Sequence, residues 1–522
     1  MARRTKSAMG LGRRQFLKGA AAGVAAGALS GTSAIASAAT GAQQGWDGET
    51  EVLVLGTGTA GIAAAIAAAQ SDSQVLVLER APNPGGSSRR SGGVIYLGGG
   101  TRVQLSTGFE DSADNMYNYL VAAMGRGADE AKIRAYCDGS VDLFNWLVDL
   151  GVPFKDTHVS GKLTNPATDD CLFYSGSETS YPYHLLAEPV PRGHKVQGEQ
   201  STGHILMDIL QENAVGLGVS FEYETRARRL LVDSGRVVGV EVEKDGRLQS
   251  IAASKAVIVA TGGFQFDEQL VALHCPQYLK TAAPLGAPEE DGDGLRMGQS
   301  VGAEVQNLER GSPWKFMYPP TEMVKSLLVN KQGRRFITED IYGGNASDAT
   351  VTTHDGIAFL IYDEAIKHEV GAHADNLEPI AQAESAEDLA QQLDIPAVVL
   401  RNTIEFYNAH AEDGQDPVFH KRSQYVQPLL SPPYYALDFS GVTGGMVWIT
   451  LGGLRTDATS RVLDPYGNQI PGLYAAGRAA GYFGSFYNSG TALGDCAFFG
   501  RVAGMTAAQA PARTVRSVPA LL

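Results

Sequence analysis

Gly56, Gly58 and Gly61, spaced as Gly-x-Gly-x-x-Gly, and the acid Glu79 twenty-three positions after the first of them suit one kind of chemistry directly: holding a dinucleotide. Gly56 permits a tight turn, Gly58 lets the backbone approach a pyrophosphate, and Gly61 lets a helix pack closely on a strand. A helix opening at this point offers free N–H groups and a partial positive charge to the phosphates. Glu79 is placed to accept hydrogen bonds from the adenosine ribose hydroxyls. The elements that must position these residues are legible. Glu51–Leu55 reads as a buried strand, Ile62–Gln70 as an alanine-rich helix, and Gln74–Leu78 as a second strand ending in Glu79. In a chain with 62 glycines the triplet alone arises about once by chance. The strand, turn, helix, strand and acid in that order favour a dinucleotide site over a ligand-free parallel α/β unit.

Beyond the second strand come Pro84-Gly85-Gly86-Ser87-Ser88 and Ser91-Gly92-Gly93, two small-residue clusters that press backbone against something flat or anionic. A mostly helical stretch follows, with an acidic start at Asp111–Asn118 and an apolar run at Leu143–Val152, then a helix over 203–215. Alternation in Val237–Val242, between the turns Asp233-Ser234-Gly235 and Asp245-Gly246, predicts a small antiparallel sheet. The strand Ala256–Ala260 runs into Thr261-Gly262-Gly263. Near the end of the chain Pro471–Gly477 is another strand entering a glycine turn, and Tyr487–Gly494 opens a helix. Two distant segments returning to one nucleotide fold imply an inserted lobe. We expect a discontinuous binding domain over 47–305 and 441–515, with the lobe over 306–440.

The first forty residues stand apart. Arg13-Arg14-Gln15-Phe16-Leu17-Lys18 opens a mildly apolar, Ala- and Gly-rich run ending near Ala36-Ser37-Ala38, which reads as a twin-arginine signal peptide over 1–40. Export by that route carries folded proteins, which suits a chain that loads a cofactor first. The run is too weakly apolar for a membrane span, and none is expected after signal removal. Six of the 42 basic residues precede Trp46 and no acid does, leaving 36 basic against 57 acidic residues, a net charge of −21. So acidic a surface argues against nucleic acid or anionic lipid as partners. Cys137, Cys171, Cys275 and Cys496 form no Cys-x-x-Cys pair or metal-ligand spacing and read as small buried residues. No metal site and no covalently attached haem is expected.

Taken in order, these blocks resemble the flavoprotein family of fumarate reductases, succinate dehydrogenase flavoprotein subunits and 3-ketosteroid dehydrogenases. The matching stretches are the glycine unit with Glu79, Gly85–Ser88, Ala260–Gly263, Gly292-Asp293-Gly294, Gly333-Arg334-Arg335-Phe336 with Glu339, and Pro471–Gly477. They span nearly the whole chain after residue 46. The resemblance implies an α/β fold: a Rossmann-like FAD-binding domain with an inserted α+β capping domain. It implies hydride exchange between flavin N5 and a carbon beside an activated C–C bond, with an external electron acceptor or donor. It further implies FAD contacts at Thr59 and Ala60, at Arg80 beside Glu79, and at Ala227, Thr261, Gly262 and Asp293. From the second half it adds Gly477, Arg478, Gly490, Thr491 and Leu493. The FAD is expected to be noncovalent, because no histidine lies between residues 85 and 110.

The departures are informative. Fumarate reductases grip two carboxylates with arginines and a histidine, using the bidentate geometry that a guanidinium supplies. Counted back from Phe499-Gly500-Arg501, one such arginine position holds Tyr487, the histidine region reads Tyr482–Phe486, and the proton-donating arginine would fall near Asp363. A dicarboxylate substrate is therefore not expected. Tyr487-Asn488-Ser489-Gly490 instead resembles the Tyr-x-Ser-Gly of 3-ketosteroid Δ4-(5α)-dehydrogenases, and Trp314–Tyr318 offers a second phenol in Tyr318. Phenols and indoles suit a bulky apolar small molecule with one carbonyl end. A ketone acidifies its α C–H, so Tyr487 is expected to act as base, Ser489 as proton relay and Tyr318 as third member, with Tyr96 and Tyr342 as outside candidates. Tyrosine's ordinary pKa near ~10 requires help from Ser489 and from the positive end of the following helix. Lys315 and Arg455 are the cations that would anchor a carboxylate if one were bound. The competing readings are an exported ene-reductase acting on an unsaturated acid, and a noncatalytic flavin carrier.

Overall fold

A computed structural model of the chain describes residues 45–161, 165–315, 322–371, 377–514 and 517–518. Residues 1–40, where a signal peptide is expected, and Tyr318 lie outside the described residues.

Val52-Leu-Val-Leu55 is apolar on consecutive positions because its strand, Gly48–Leu55, is covered on both faces. It pairs in parallel with Val75–Leu78 on one side and Arg247–Val259 on the other, placing Val54 between Val77 and Ile258. Ser220–Glu222 and Gln469–Ala475 extend the sheet in parallel, and Arg461–Leu463 closes one edge antiparallel. The parallel strands therefore end side by side. Gly56 N–H donates to Leu78 O at 2.8 Å, Ala260 N–H to Leu55 O at 2.9 Å and Ala476 N–H to Val259 O at 3.0 Å. Four turns that the sequence singled out separately become one rim at the carboxyl ends of the strands, where open α/β sheets bind ligands.

Helix Thr59–Ala69 is buried along nearly its whole length, which its alanines permit. The final helix, Thr491–Ala508, lies directly against it. A Cβ on Gly500 would stand 2.4 Å from Ala60 O, and one on Gly504 2.1 Å from Ala64 O. Glycines four apart on one helix thus receive the backbone of the other, and the two site-bearing loops are fixed to a single helix pair.

The hairpin strands Thr225–Asp233 and Arg236–Lys244 form as expected, but not as a separate sheet. Their third partner, Arg247–Val259, is one 13-residue strand whose later half joins the central sheet. No glycine or proline interrupts residues 247–259, so nothing breaks the strand where a boundary was expected.

Within residues 306–440 lies a second, antiparallel sheet in the order Leu327–Asn330, Ala358–Asp363, Tyr434–Asp438, Ala381–Ala383. It is accompanied by helices Gly343–Thr353, Glu364–Val370, Ala386–Gln392 and Ala397–Ala411. The chain enters and leaves this region through Gly311–Trp314 and Val447–Thr450, which pair antiparallel beside Ala283–Pro284. Arg335 is buried here between Glu339 and Asp416, with Lys421 Nζ 2.9 Å from Glu339. Burial raises and the cationic neighbours lower the Glu339 pKa, and the cations prevail. The Arg335 and Glu339 of the family-like block therefore neutralise each other inside this region.

Candidate functional site

The rim opens into a cleft of about 940 Å³ lined by Gly56, Gly58, Thr59, Ala60, Glu79, Arg80, Ala227, Thr261, Gly262, Asp293 and Gly477, among others. Glu79 is buried. One carboxylate oxygen accepts from Thr57 N–H and Thr57 Oγ1–H, and the other accepts from Ala81 N–H at 2.9 Å. Thr57 Oγ1 in turn accepts from Gly85 N–H at 3.0 Å. These contacts fix the acid at the cleft wall and leave lone pairs for a diol.

The three glycines separate cleanly. Gly56 has φ +105° and a Cβ there would stand 2.5 Å from Ala260 O; one on Gly61 would stand 2.0 Å from Gly56 O. A Cβ on Gly58 meets only Ser88 Oγ, at 3.6 Å. The protein itself thus demands glycine at 56 and 61. At 58 the open space is the cleft, and a pyrophosphate backbone fits it. Gly61 and Gly85 shape the site without lining it. Asp293 lines the cleft but is bound by Arg226 Nε at 2.6 Å, with Arg80 paired to Asp291.

A second cleft, of about 1350 Å³, adjoins the first; Ser87, Ser88, Arg478 and Cys496 line both. Glu290, which the sequence reading missed, organises this junction. It accepts from Ser87 Oγ–H at 2.9 Å and is bonded by the Gln265 amide and the Arg478 guanidinium. Its only sequence signal is its position three residues before Asp293. Arg478, expected among the FAD contacts, lines both clefts and is paired with Glu290.

Ser91, Gly92, Gly93, Gly490 and Leu493 line the second cleft together with Tyr487, Ser489, Trp314 and Tyr342. Val94, Leu285 and Ile449 add apolar surface, and Arg90, Asn165 and Ser201 add polar groups to the lining. Gly490, at φ +87°, is the residue before the final helix, so Tyr487 and Ser489 sit at that helix's positive end. Burial pushes the Tyr487 hydroxyl up to about 12, opposed by the N–H groups of Gly490 and Ala492. The Trp314 ring stands 5.2 Å from the Tyr487 ring, edge-on, and the Tyr342 ring 6.2 Å from it. Thr491 does not line the cleft; its hydroxyl bonds Tyr482 and Asn488 O.

Behind the tyrosines lies a network without a sequence signal. Tyr119 O–H donates to Asn488 Oδ1 at 2.6 Å and accepts from Ser177 N–H at 2.8 Å, while Ser177 Oγ accepts from Tyr342 N–H at 2.9 Å. Tyr96, an outside candidate, is fully buried, stacks on Tyr119 at 6.1 Å and lines neither cleft. Lys315 is bonded to Gly444 O and Arg455 to Glu304, and neither lines a cleft. Asp363, at the position a proton-donating arginine would hold, is buried and accepts from the N–H groups of Ile366, Leu430 and Ser431. The four cysteines are free thiols, three of them buried. Among the described residues no cluster suits a metal and no helix is long and apolar enough to cross a membrane.

A family model described as an FAD binding domain matches residues 51–493. The 3-ketosteroid-Δ4-(5α)-dehydrogenase of Rhodococcus jostii, solved with 4-androstene-3,17-dione, superposes with a TM-score of 0.85 at 41% identity, over 89% of this chain and 98% of that one. A 3-oxo-5-alpha-steroid 4-dehydrogenase of Comamonas testosteroni is 30% identical over 83% of this chain and 93% of its own length. A probable fumarate reductase of Shewanella frigidimarina is 28% identical over 88% and 75%.

Proposed function

The chain belongs to the FAD-binding-domain family of flavoprotein oxidoreductases, and on that premise we propose that it dehydrogenates the C–C bond beside the carbonyl of a 3-ketosteroid-like substrate. The observation that carries this reading is the second cleft: two phenols and an indole beside Ser489, the apolar side chains of Val94, Leu285, Ile449 and Leu493, and two arginines, Arg90 and Arg478, that are both bonded within the protein. Arg478 is occupied by Glu290, and Arg90, at the exposed side, bonds Gly286 O.

When bound, FAD supplies the hydride acceptor. Gly58 and the opening of helix Thr59–Ala69 would hold its pyrophosphate, Glu79 its ribose, and Ser91–Gly93 with Gly490 its ring system. The chain's own residues handle the proton. Tyr487 takes the α proton, the C–H electron pair passes into the enolate, and hydride leaves the β carbon as the double bond forms. The helix N–H groups and Ser489 stabilise the Tyr487 phenolate that accepts this proton, and the transfer leaves the phenol neutral. An external acceptor then reoxidises the protein. Tyr318 remains part of this reading as third member.

The test is an anaerobic titration with 5α-androstane-3,17-dione, following the visible flavin band. Bleaching is expected. Tyr487→Phe should keep its flavin and lose bleaching rate by roughly 10²–10⁴-fold; full rate in that variant would remove Tyr487 as base. An intact band that responds to reduced dye plus an unsaturated acid would instead identify an ene-reductase. Two further readings accompany this one. The missing histidine between 85 and 110 supports noncovalent FAD, which acid precipitation should release to the supernatant. Arg13-Arg14 and Ala36–Ala38 support twin-arginine export, which fractionation of the producing cells checks.

A further inference from the structure

We propose that Tyr278 and Asp348, remote from the reacting atoms, are positioning residues whose shared hydrogen bonds fasten the Trp314–Tyr342 wall of the second cleft in place. Their role as positioning residues rests on the dehydrogenase reading above and deepens it. Tyr278 is buried on the short 3₁₀ turn Pro276–Lys280, its ring stacked 4.9 Å from that of Trp448. Its hydroxyl oxygen lies 2.9 Å from Gly311 O and 2.9 Å from Asp348 Oδ1. A phenol has one proton, and a carbonyl only accepts. Both contacts are hydrogen bonds at once only when Asp348 is protonated: the carboxyl then donates to the phenol oxygen, and the phenol donates to Gly311 O. Once Asp348 is ionised, its charge draws the phenol proton to the carboxylate, and Gly311 O loses its donor.

The strand pair does not use that carbonyl. Leu451 N–H donates to Arg310 O, and antiparallel partners alternate between exchanging backbone hydrogen bonds and not exchanging them. Gly311, opposite Thr450, therefore turns its C=O away from Val447–Thr450 and toward Tyr278. A Cβ on Gly311 would lie 2.7 Å from the Tyr278 ring, so glycine there admits the phenol. Tyr278 thus joins the two pieces that carry the cleft wall. Strand Gly311–Trp314 ends in Trp314, and helix Gly343–Thr353, which holds Asp348, begins just after Tyr342. Lys315 N–H donates to Ser347 Oγ at 3.2 Å and ties the strand end to the helix a second time. Burial pushes the Asp348 carboxyl up to about 6, opposed by Tyr278 and by Arg310. Tyr278 faces it from Pro276–Lys280 and Arg310 from the start of the strand, while Lys280 is paired with Asp355 past the end of the helix. The fastening is complete below that value and loses the Gly311 bond as pH rises through it.

The readout is the Kd of 4-androstene-3,17-dione on the oxidised, FAD-loaded protein, followed by the shift of the flavin band between about pH 5 and about pH 7.5. This is a binding step without turnover. In the unmodified protein Kd should rise about fivefold over that range, the worth of one net hydrogen bond. Asp348→Asn places an amide N–H, which donates at every pH, where the carboxyl proton was. That variant should keep the tight Kd throughout and flatten the profile. Tyr278→Phe should bind weakly and equally at both ends of the range. A pair that only filled space would weaken binding in both variants and leave the pH slope intact. A Kd independent of pH in the unmodified protein, a slope that survives in Asp348→Asn, or an Asn variant that binds about fivefold more weakly at pH 5 than the unmodified protein would each overturn the assignment. Failure of the steroid to bind the unmodified protein at any pH would overturn the dehydrogenase reading itself, and this assignment with it.

Discussion

A methyl group at residue 58 and one at residue 61 would have opposite consequences. At 61 it collides with Gly56 O, so Gly61→Ala is expected to destabilise the flavin-free protein by about 1–3 kcal/mol or more, seen as a lower melting temperature. At 58 it meets nothing closer than Ser88 Oγ, so Gly58→Ala should melt like the parent without flavin yet bind FAD on the order of tenfold more weakly. Differential melting with and without FAD checks both. The pH dependence belongs at this scale too. With burial holding Tyr487 up to about 12, the phenolate fraction rises about tenfold per pH unit through the neutral range. Dehydrogenation at low substrate should climb with pH between 7 and 9, and a flat profile would point to another base. The glycines and Glu79 were legible because each has a backbone or charge reason local to its motif. Glu290, Asn488, Tyr119 and Ser177 were not, because their partners lie far away in sequence and no spacing rule announces them.

The final helix, Thr491–Ala508, ties several roles together: it starts at the tyrosine turn, packs on helix Thr59–Ala69 through Gly500 and Gly504, and buries Asp495. Burial pushes the Asp495 carboxyl up to about 7, with Lys132 opposing. A folded-state pKa above the unfolded value near ~4 gives stability that is complete below pH 4 and declines as pH rises toward 7. The melting temperature is expected to fall over that window, and Asp495→Asn should flatten the fall; an unchanged slope would show that another group sets it. The pairing of Arg335 with Glu339 predicts that Glu339→Gln costs about 3–5 kcal/mol, since it leaves buried cations short of charge. Element types were mostly readable from period and punctuation. The fusion of Arg247–Val259 across two sheets was not, because register between strands is a tertiary matter.

At the scale of the whole molecule, the central sheet brings turns from residues 56, 79, 260 and 476 to one rim, and Trp314 and Tyr342 supply one wall of the second cleft. An order of elements repeated across a family made the sheet readable, whereas which tyrosine faces which depends on how distant segments meet. Trp314 turned this to optical use. Its indole stands against Tyr487 in the cleft expected to hold the flavin ring, and only three other tryptophans compete with it for emission. Near-ultraviolet excitation should therefore yield light drained by energy transfer whenever wall and cofactor are apposed, and brightening should mark their separation. The cleft would then report its own opening in real time, without an attached dye.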